Sequence, residues 1–207
     1  MYTPPAYAEH DRTRLHACMR EWSFATLVTH GSDGAQATHL PFLLDSDDGQ
    51  LGRLTTHLAR NNRQLLDLEE GAAALVLFQG PHAFISPSWY DNRNTFPTWN
   101  YTAVHARGQP RLVTEPEAIR QVLVRTVRTY DTPLGGSWTF EGMPESMTGP
   151  RLRAIVALEI PIASLEGKMK LNQDKSLADR RGVIAALERQ GDAQALAVAR
   201  LMRDIPT

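Results

Sequence analysis

A single cysteine, Cys18, stands in the 207-residue chain. No internal disulfide can form, and a cysteine-rich zinc site is excluded. No charge of one sign dominates: 22 lysines and arginines meet 23 aspartates and glutamates, so no global basic field marks the chain for nucleic acid. No window comes near the run of about 18 apolar residues expected of a membrane span. The opening MYTPPAYAEHDRTR has no hydrophobic segment of the kind a secretory leader carries. A cytoplasmic protein is therefore expected. Loops with fixed catalytic spacing are missing too: there is no G-x-S-x-G, no Walker loop and no G-x-G-x-x-G. The seven histidines, at 10, 16, 30, 39, 57, 82 and 105, form no H-x-x-x-H pair, which leaves zinc only a chance meeting in the fold.

At 42% hydrophobic residues, the chain can bury a sizeable core without staples. Apolar positions 15, 18, 19 and 22 share one face and predict a helix over 9–22. FATLVTH, AQATHLPFLLD and LGRLTTHLA then read as three strands, separated by the turn signals GSDG and SDDGQ. A short helix is expected to end at Gly71, followed by a buried strand over 72–80, a short one near 84–86 and a long one over 100–113. TEPE predicts a capping box at the start of a helix over 114–128, with Thr114 as cap and Glu117 reaching back. Residues 129–150 read as a long loop, 153–162 as a final core strand, 165–176 as a polar, basic connector, and 177–189 and 193–203 as two helices. The order lacks regular β-α-β alternation. A mainly β, α+β fold results, a small antiparallel barrel with peripheral helices. The barrel is expected over 1–165, with 166–207 as connector and helical appendage of the same domain.

Three stretches carry candidate chemistry. In THLARNNRQ, His57, Arg60 and Asn61 stand where a strand gives way to a helix start, a place that favours an anion; a capped surface helix with a solvated arginine is the other reading. In FISPSWYDNRNTFPTWNY, Trp89, Trp99 and Tyr101 offer rings to a planar ligand, and Ser86 and Asn100 offer polar edges. A loop pinned by its own aromatics, or a platform for stacked bases, would use the same residues. In GKMKLNQDK, Lys168, Lys170 and Gln173 suit a phosphate or serve as a solvated basic loop.

HLPFLLD (39–45), HLARNN (57–62), LVLFQGPHAFISPSWY (75–90), PTWNYTAVHARG (97–108), LRAIVALEIPI (152–162) and LEGKMKLNQ (165–173) occur in this order. Together they resemble the PaiB-like FMN-binding negative transcriptional regulators, over nearly the whole chain. The resemblance implies an FMN-binding split β-barrel, a homodimer and repression of transcription, a role first described for control of protease synthesis and sporulation. It implies FMN contacts from His39, Leu40, Pro41, Thr56, His57, Arg60 and Asn61, with Arg60 on the phosphate. Ser86, Trp89, Trp99, Asn100, Tyr101, Lys168, Lys170 and Gln173 complete the expected set. The chain departs from the family pattern at Met169, Asn172 and Asp174, where Trp, Ser and Asn are expected. Two other functions stand beside repression: a flavin-dependent oxidoreductase, in which the cofactor carries the chemistry, and haem binding through His39, His57 or Tyr101. Direct DNA binding has little support, because DAQALAVARLMR (192–203) has few side chains suited to reading bases.

Overall fold

Successive side chains of a strand point to opposite faces, so alternating sequences bury one face and leave the other wet. The computed structural model, which describes residues 1–205, shows this in its central strands. The elements, in order, are β1 (Ala8–Glu9), α1 (Arg12–Glu21), β2 (Phe24–Gly31), β3 (Gly34–Pro41), β4 (Leu43–Asp45), β5 (Arg53–Ala59), α2 (Gln64–Glu69), β6 (Ala74–Ile85), β7 (Thr98–Gly108), β8 (Arg111–Val113), α3 (Pro116–Tyr130), α4 (Glu145–Arg153), β9 (Ile155–Lys170), α5 (Leu177–Gln190) and α6 (Ala193–Arg203). The strands form a sheet in the order β3-β2-β6-β7-β9-β5-β4, with β1 and β8 also paired to β9. Every pairing whose register is defined is antiparallel.

The chain forms two compact units. One comprises His16–Phe78 and His105–Leu165. Its core is the inner face of the sheet, where Leu27, Leu54, Leu58, Val76, Phe78, Val156, Leu158 and Ile160 are almost fully buried. On the outer face, Ile119 and Val122 of α3 pack with Leu152 and Ala157. Arg125 of α3 reaches Asp45 at 2.5 Å, and Tyr130 donates to the Phe42 carbonyl at 3.2 Å. Asp67 of α2 accepts the Thr29 hydroxyl at 2.6 Å, and Gln64 donates to the Leu27 carbonyl at 3.2 Å, fastening α2 to β2. The other unit comprises Met1–Leu15, Gln79–Val104 and Glu166–Thr207; the last two residues of the expected appendage lie outside the described residues. In this unit Val183 and Leu187 of α5 pack as a helical hairpin with Val198 and Met202 of α6. Ser176 caps α5, Gly191 ends it in the left-handed region, and Asp192 caps α6. Among the described residues, no helix is long and apolar enough to cross a membrane.

Several expectations are corrected. The strand over 35–45 breaks at Phe42, and the strands over 72–80 and 84–86 are one strand, β6. The capping box at Thr114 is absent: Glu115 occupies the cap position without a side-chain bond, and Pro116 is the first helical residue. Proline suits that position because the N–H it lacks would have no partner there. Glu117 instead accepts from Gln121 at 2.7 Å. The expected loop over 129–150 contains most of α4, with Gly149 and Pro150 inside the helix. The expected basic connector is strand as far as Lys170, because β9 continues through Pro161 and pairs with β1 at Gly167 and Lys168.

Close approach of β7 and β9 sets a local constraint. A Cβ at Gly108 would run into the main-chain carbonyl of Pro161. Gly108→Ala is expected to destabilise the chain by about 1–3 kcal/mol through overpacking against main chain. Urea unfolding that gives an unchanged midpoint would show that the strands can separate there at no cost.

Candidate functional site

The expected site residues fall into two groups, one in each unit. In the first, the edge of β3 meets β5. Thr56 donates its hydroxyl to the Pro41 carbonyl at 2.6 Å, and Asn62 donates to the Thr38 hydroxyl at 3.0 Å. These bonds bring His39, Leu40 and Pro41 beside the stretch from Thr56 to Asn61. His39 is exposed, with Nδ1 2.9 Å from the Thr26 hydroxyl and its ring stacked beside Phe24. Thr26 is the cross-strand partner of His39, so β-pairing builds this contact. Leu40 is buried in the core.

The stretch at Arg60 is built differently from the expected anion-binding helix start. The Arg60 N–H bonds to the Ala154 carbonyl at 2.8 Å, and the Asn62 side chain accepts from Gln64 N–H at 2.9 Å. These main-chain donors are already used. The guanidinium donates through Nε to the Arg153 carbonyl at 3.0 Å and through one Nη to the Ile155 carbonyl at 3.3 Å. Nη1 has no hydrogen bond among the described residues, and the side chain is exposed. The cation is therefore held in place with a donor to spare, which is the geometry a phosphate needs. Asn61 is exposed beside it.

His57 does not share a face with Thr56. Alternation along β5 turns Thr56 inward with Leu54 and Leu58, and His57 outward with Thr55. The register pairs His57 with Ala157, which belongs to the cluster packed under α3. His57 Nδ1 and the Thr55 hydroxyl are buried without hydrogen-bond partners. Burial pushes the His57 pKa below its ordinary value of 6.5.

In the second group, Trp99 and Tyr101 share one face of β7, while Asn100 faces the other way. Lys170 donates to the Thr98 hydroxyl and, at 2.9 Å, to the Trp99 carbonyl. Burial lowers the pKa of its ammonium. Lys168 is 5% exposed; its Nζ donates to the Tyr2 carbonyl at 3.0 Å and lies 5.0 Å from the Tyr101 ring centre. One cation, Lys168, thus lies against two rings, those of Tyr2 and Tyr101. Trp99 remains 53% exposed, flanked by His82 and Phe84. With Trp89, these residues line a groove of ≈390 Å³.

Asn100 is fully buried, with its amide 3.4 Å from the Met202 sulfur, and cannot present an edge to an open groove as placed. Ser86 caps the short turn Pro87–Trp89, and Gln173 folds back onto Met169 and Leu171. Those polar groups serve local structure. Sequence reasoning missed Thr26, His82, Phe84 and Tyr2. Period-2 alternation from Trp99 and His39 to their strand neighbours is the signal that identifies the first three.

A flat ligand with a phosphate needs a fixed cation, exposed rings and nearby donors. In one unit, Arg60 with its spare Nη suits a phosphate; in the other, the exposed Trp99 ring suits a flat ligand. The family model described as "Putative FMN-binding domain" matches residues 1–164. The chain is 31% identical to "Protease synthase and sporulation protein PAI 2" of Bacillus subtilis (strain 168), over 99% of this chain and 97% of that one. Two solved structures share the fold at a TM-score of 0.59. The FAD and heme binding protein of Mycobacterium smegmatis is 20% identical, with 87% of this chain and 80% of that one covered. A putative 5-nitroimidazole antibiotic resistance protein of Bacteroides thetaiotaomicron is 14% identical, with 78% and 85% covered. The architecture is that of split-barrel flavin-binding proteins.

The depressed His57 pKa has a consequence for stability. The unfolded chain takes up a proton near pH 6.5, while the folded chain resists protonation until lower pH. The stability contributed by neutral His57 is therefore present above that value and lost as pH falls through the lower, folded pKa. His57→Gln should flatten this acid-side loss in denaturant midpoints measured across pH 7 to 5. An identical slope in both proteins would assign the loss to other groups.

Proposed function

The chain belongs to the PaiB-like FMN-binding family, and from that premise we propose that it binds FMN as a homodimer and serves negative regulation of transcription. The observation that carries the cofactor reading is the Arg60 guanidinium, clamped by two main-chain carbonyls with Nη1 left over. Arg60 and Asn61 would hold the phosphate. The main chain of His39–Pro41 and Thr56, already joined by the Thr56–Pro41 bond, would border the ligand. In the other unit, the exposed Trp99 ring would offer a face to a planar ligand in its own groove. Bound flavin supplies reversible one- or two-electron redox chemistry; these side chains bind and orient. Exposed Phe24 beside His39, at 71%, and exposed Trp99 suit cover by a second copy, and a symmetric pair is the commonest oligomer.

Regulation is proposed to act through a partner protein rather than by direct reading of bases. In α6, Ala195, Val198, Ala199 and Met202 are buried, and Arg203 is paired with Glu188. Gln194, Leu196 and Arg200 remain exposed, a thin set for a major groove.

A second reading, a flavin-dependent oxidoreductase, is favoured by the groove at Trp99. It has room for a small planar molecule beside the exposed Trp99 ring.

Arg60→Ala should weaken FMN binding by about 1.5–3 kcal/mol, the worth of a hydrogen bond to a charged group, with little change in folding. Fluorescence titration showing equal affinity would return Arg60 to the solvated surface. Light scattering of the FMN-loaded protein should give a dimer. A promoter-fragment titration across a salt series separates the functions: weak binding without sequence preference is expected. Tight, salt-steep, sequence-selective binding would make the chain a direct repressor. Rapid anaerobic reduction of the flavin by NADPH without DNA binding would favour the enzyme.

A further inference from the structure

The segment after α3 builds a second cavity, separate from every residue placed in the flavin reading. It has a volume of ≈280 Å³ and is lined by Leu123 of α3, Trp138, Phe140 and Met143 of the following segment, and Met147, Thr148, Arg151 and Leu152 of α4. Trp138 and Phe140 pack edge to face with centres 4.7 Å apart. Leu152 and Thr148 are buried, whereas Trp138 and Met147 are about half exposed, at 48% and 45%. An apolar cavity of about 150 Å³ holds a benzene ring, so this one admits a two-ring or short-chain ligand. Methionine walls adapt readily to such a guest.

Its polar equipment is one-sided. The hydroxyl of Thr148 is already bonded to Glu145 at 3.2 Å, and Glu145 is paired with Arg120 at 3.4 Å. Arg151 has a single hydrogen bond among the described residues, from Nη1 to the Met147 carbonyl at 3.1 Å, and no carboxylate partner there. A cation with donors to spare thus borders an apolar cavity. We propose that this cavity is a binding site for a small hydrophobic carboxylate, its apolar body between Trp138, Leu123 and Met147 and its carboxylate on Arg151. Concave walls from two helices and a loop suit a small guest better than a flat protein surface does.

The test is isothermal titration of the purified full-length protein with 2-naphthoate and, separately, with uncharged 2-naphthylmethanol. Saturable binding of 2-naphthoate is expected, with the alcohol at least about tenfold weaker, since a charge-assisted hydrogen bond is worth that much. Arg151→Gln should abolish the preference for the acid, and Arg151→Lys should restore part of it; both changes lie at an exposed position and leave the fold intact. Trp138→Ala should weaken both probes. No saturable heat, equal binding of the two probes, or an unchanged preference in Arg151→Gln would overturn the proposal. So would Trp138 emission that shifts with protein concentration but not with 2-naphthoate, which would assign the cavity to a second copy.

Discussion

A strand of 16 residues must satisfy its main chain along its whole length, and β9 does so by changing partners. Its first half pairs with β5 from Ile155 to Pro161 and with β8 from Ala157 to Glu159; near its end, Gly167 and Lys168 pair with β1. The register of this one strand governs both groups of candidate residues. It sets Ala157 beside His57 and orients Lys168 and Lys170 together. A slip of one residue would reverse every side chain between core and solvent. Two local features make the long run possible. Ile162 N–H bonds to the Gly52 carbonyl at 2.9 Å, so pairing resumes directly after proline. Gly108 has no Cβ to collide with the Pro161 carbonyl.

The strands and helices with clean periodicity were legible in the residues. Leu15, Cys18 and Met19 marked α1, and ALVLF marked the buried start of β6. The errors fall where breakers or polar runs stand inside regular structure. The polar, basic run after Ile162 suggested that β9 ended there; tertiary pairing with β1 carried the strand through Gly167 to Lys170. Gly149 and Pro150 hid α4, and Pro116 displaced the expected cap by one residue. The candidate site was legible as residue types rather than as geometry. Arg60 was named for a helix start whose N–H groups proved to be in use, yet its side chain is held by carbonyls of residues far away in sequence. Thr56 and His57 were both expected at the ligand from the resemblance, yet as neighbours on a strand they lie on opposite faces. Asn100 shared a motif with Trp99 and Tyr101 but alternation buried it.

The site's chemistry is mostly that of holding. In one unit Arg60 is fixed by main chain; in the other, Lys168 lies against the Tyr2 and Tyr101 rings, and Trp99 is exposed. No acid or base is placed for proton transfer among these residues, and His57, the imidazole most perturbed by burial, faces the α3 layer. In the proposed reading, such residues would position a cofactor that brings its own reactivity. Fold likeness alone does not choose between regulation and redox catalysis. The α5–α6 hairpin, spent largely on its own packing, leaves few exposed side chains suited to reading bases.

The absorption spectrum of the purified protein, after reconstitution with an equimolar mixture of FMN, FAD and haem and removal of unbound ligand, tests the central claim most directly. The two visible-region bands of an oxidised flavin are expected, and mass analysis after denaturation should recover FMN from the protein. A Soret band, FAD in place of FMN, or no retained chromophore would contradict the account.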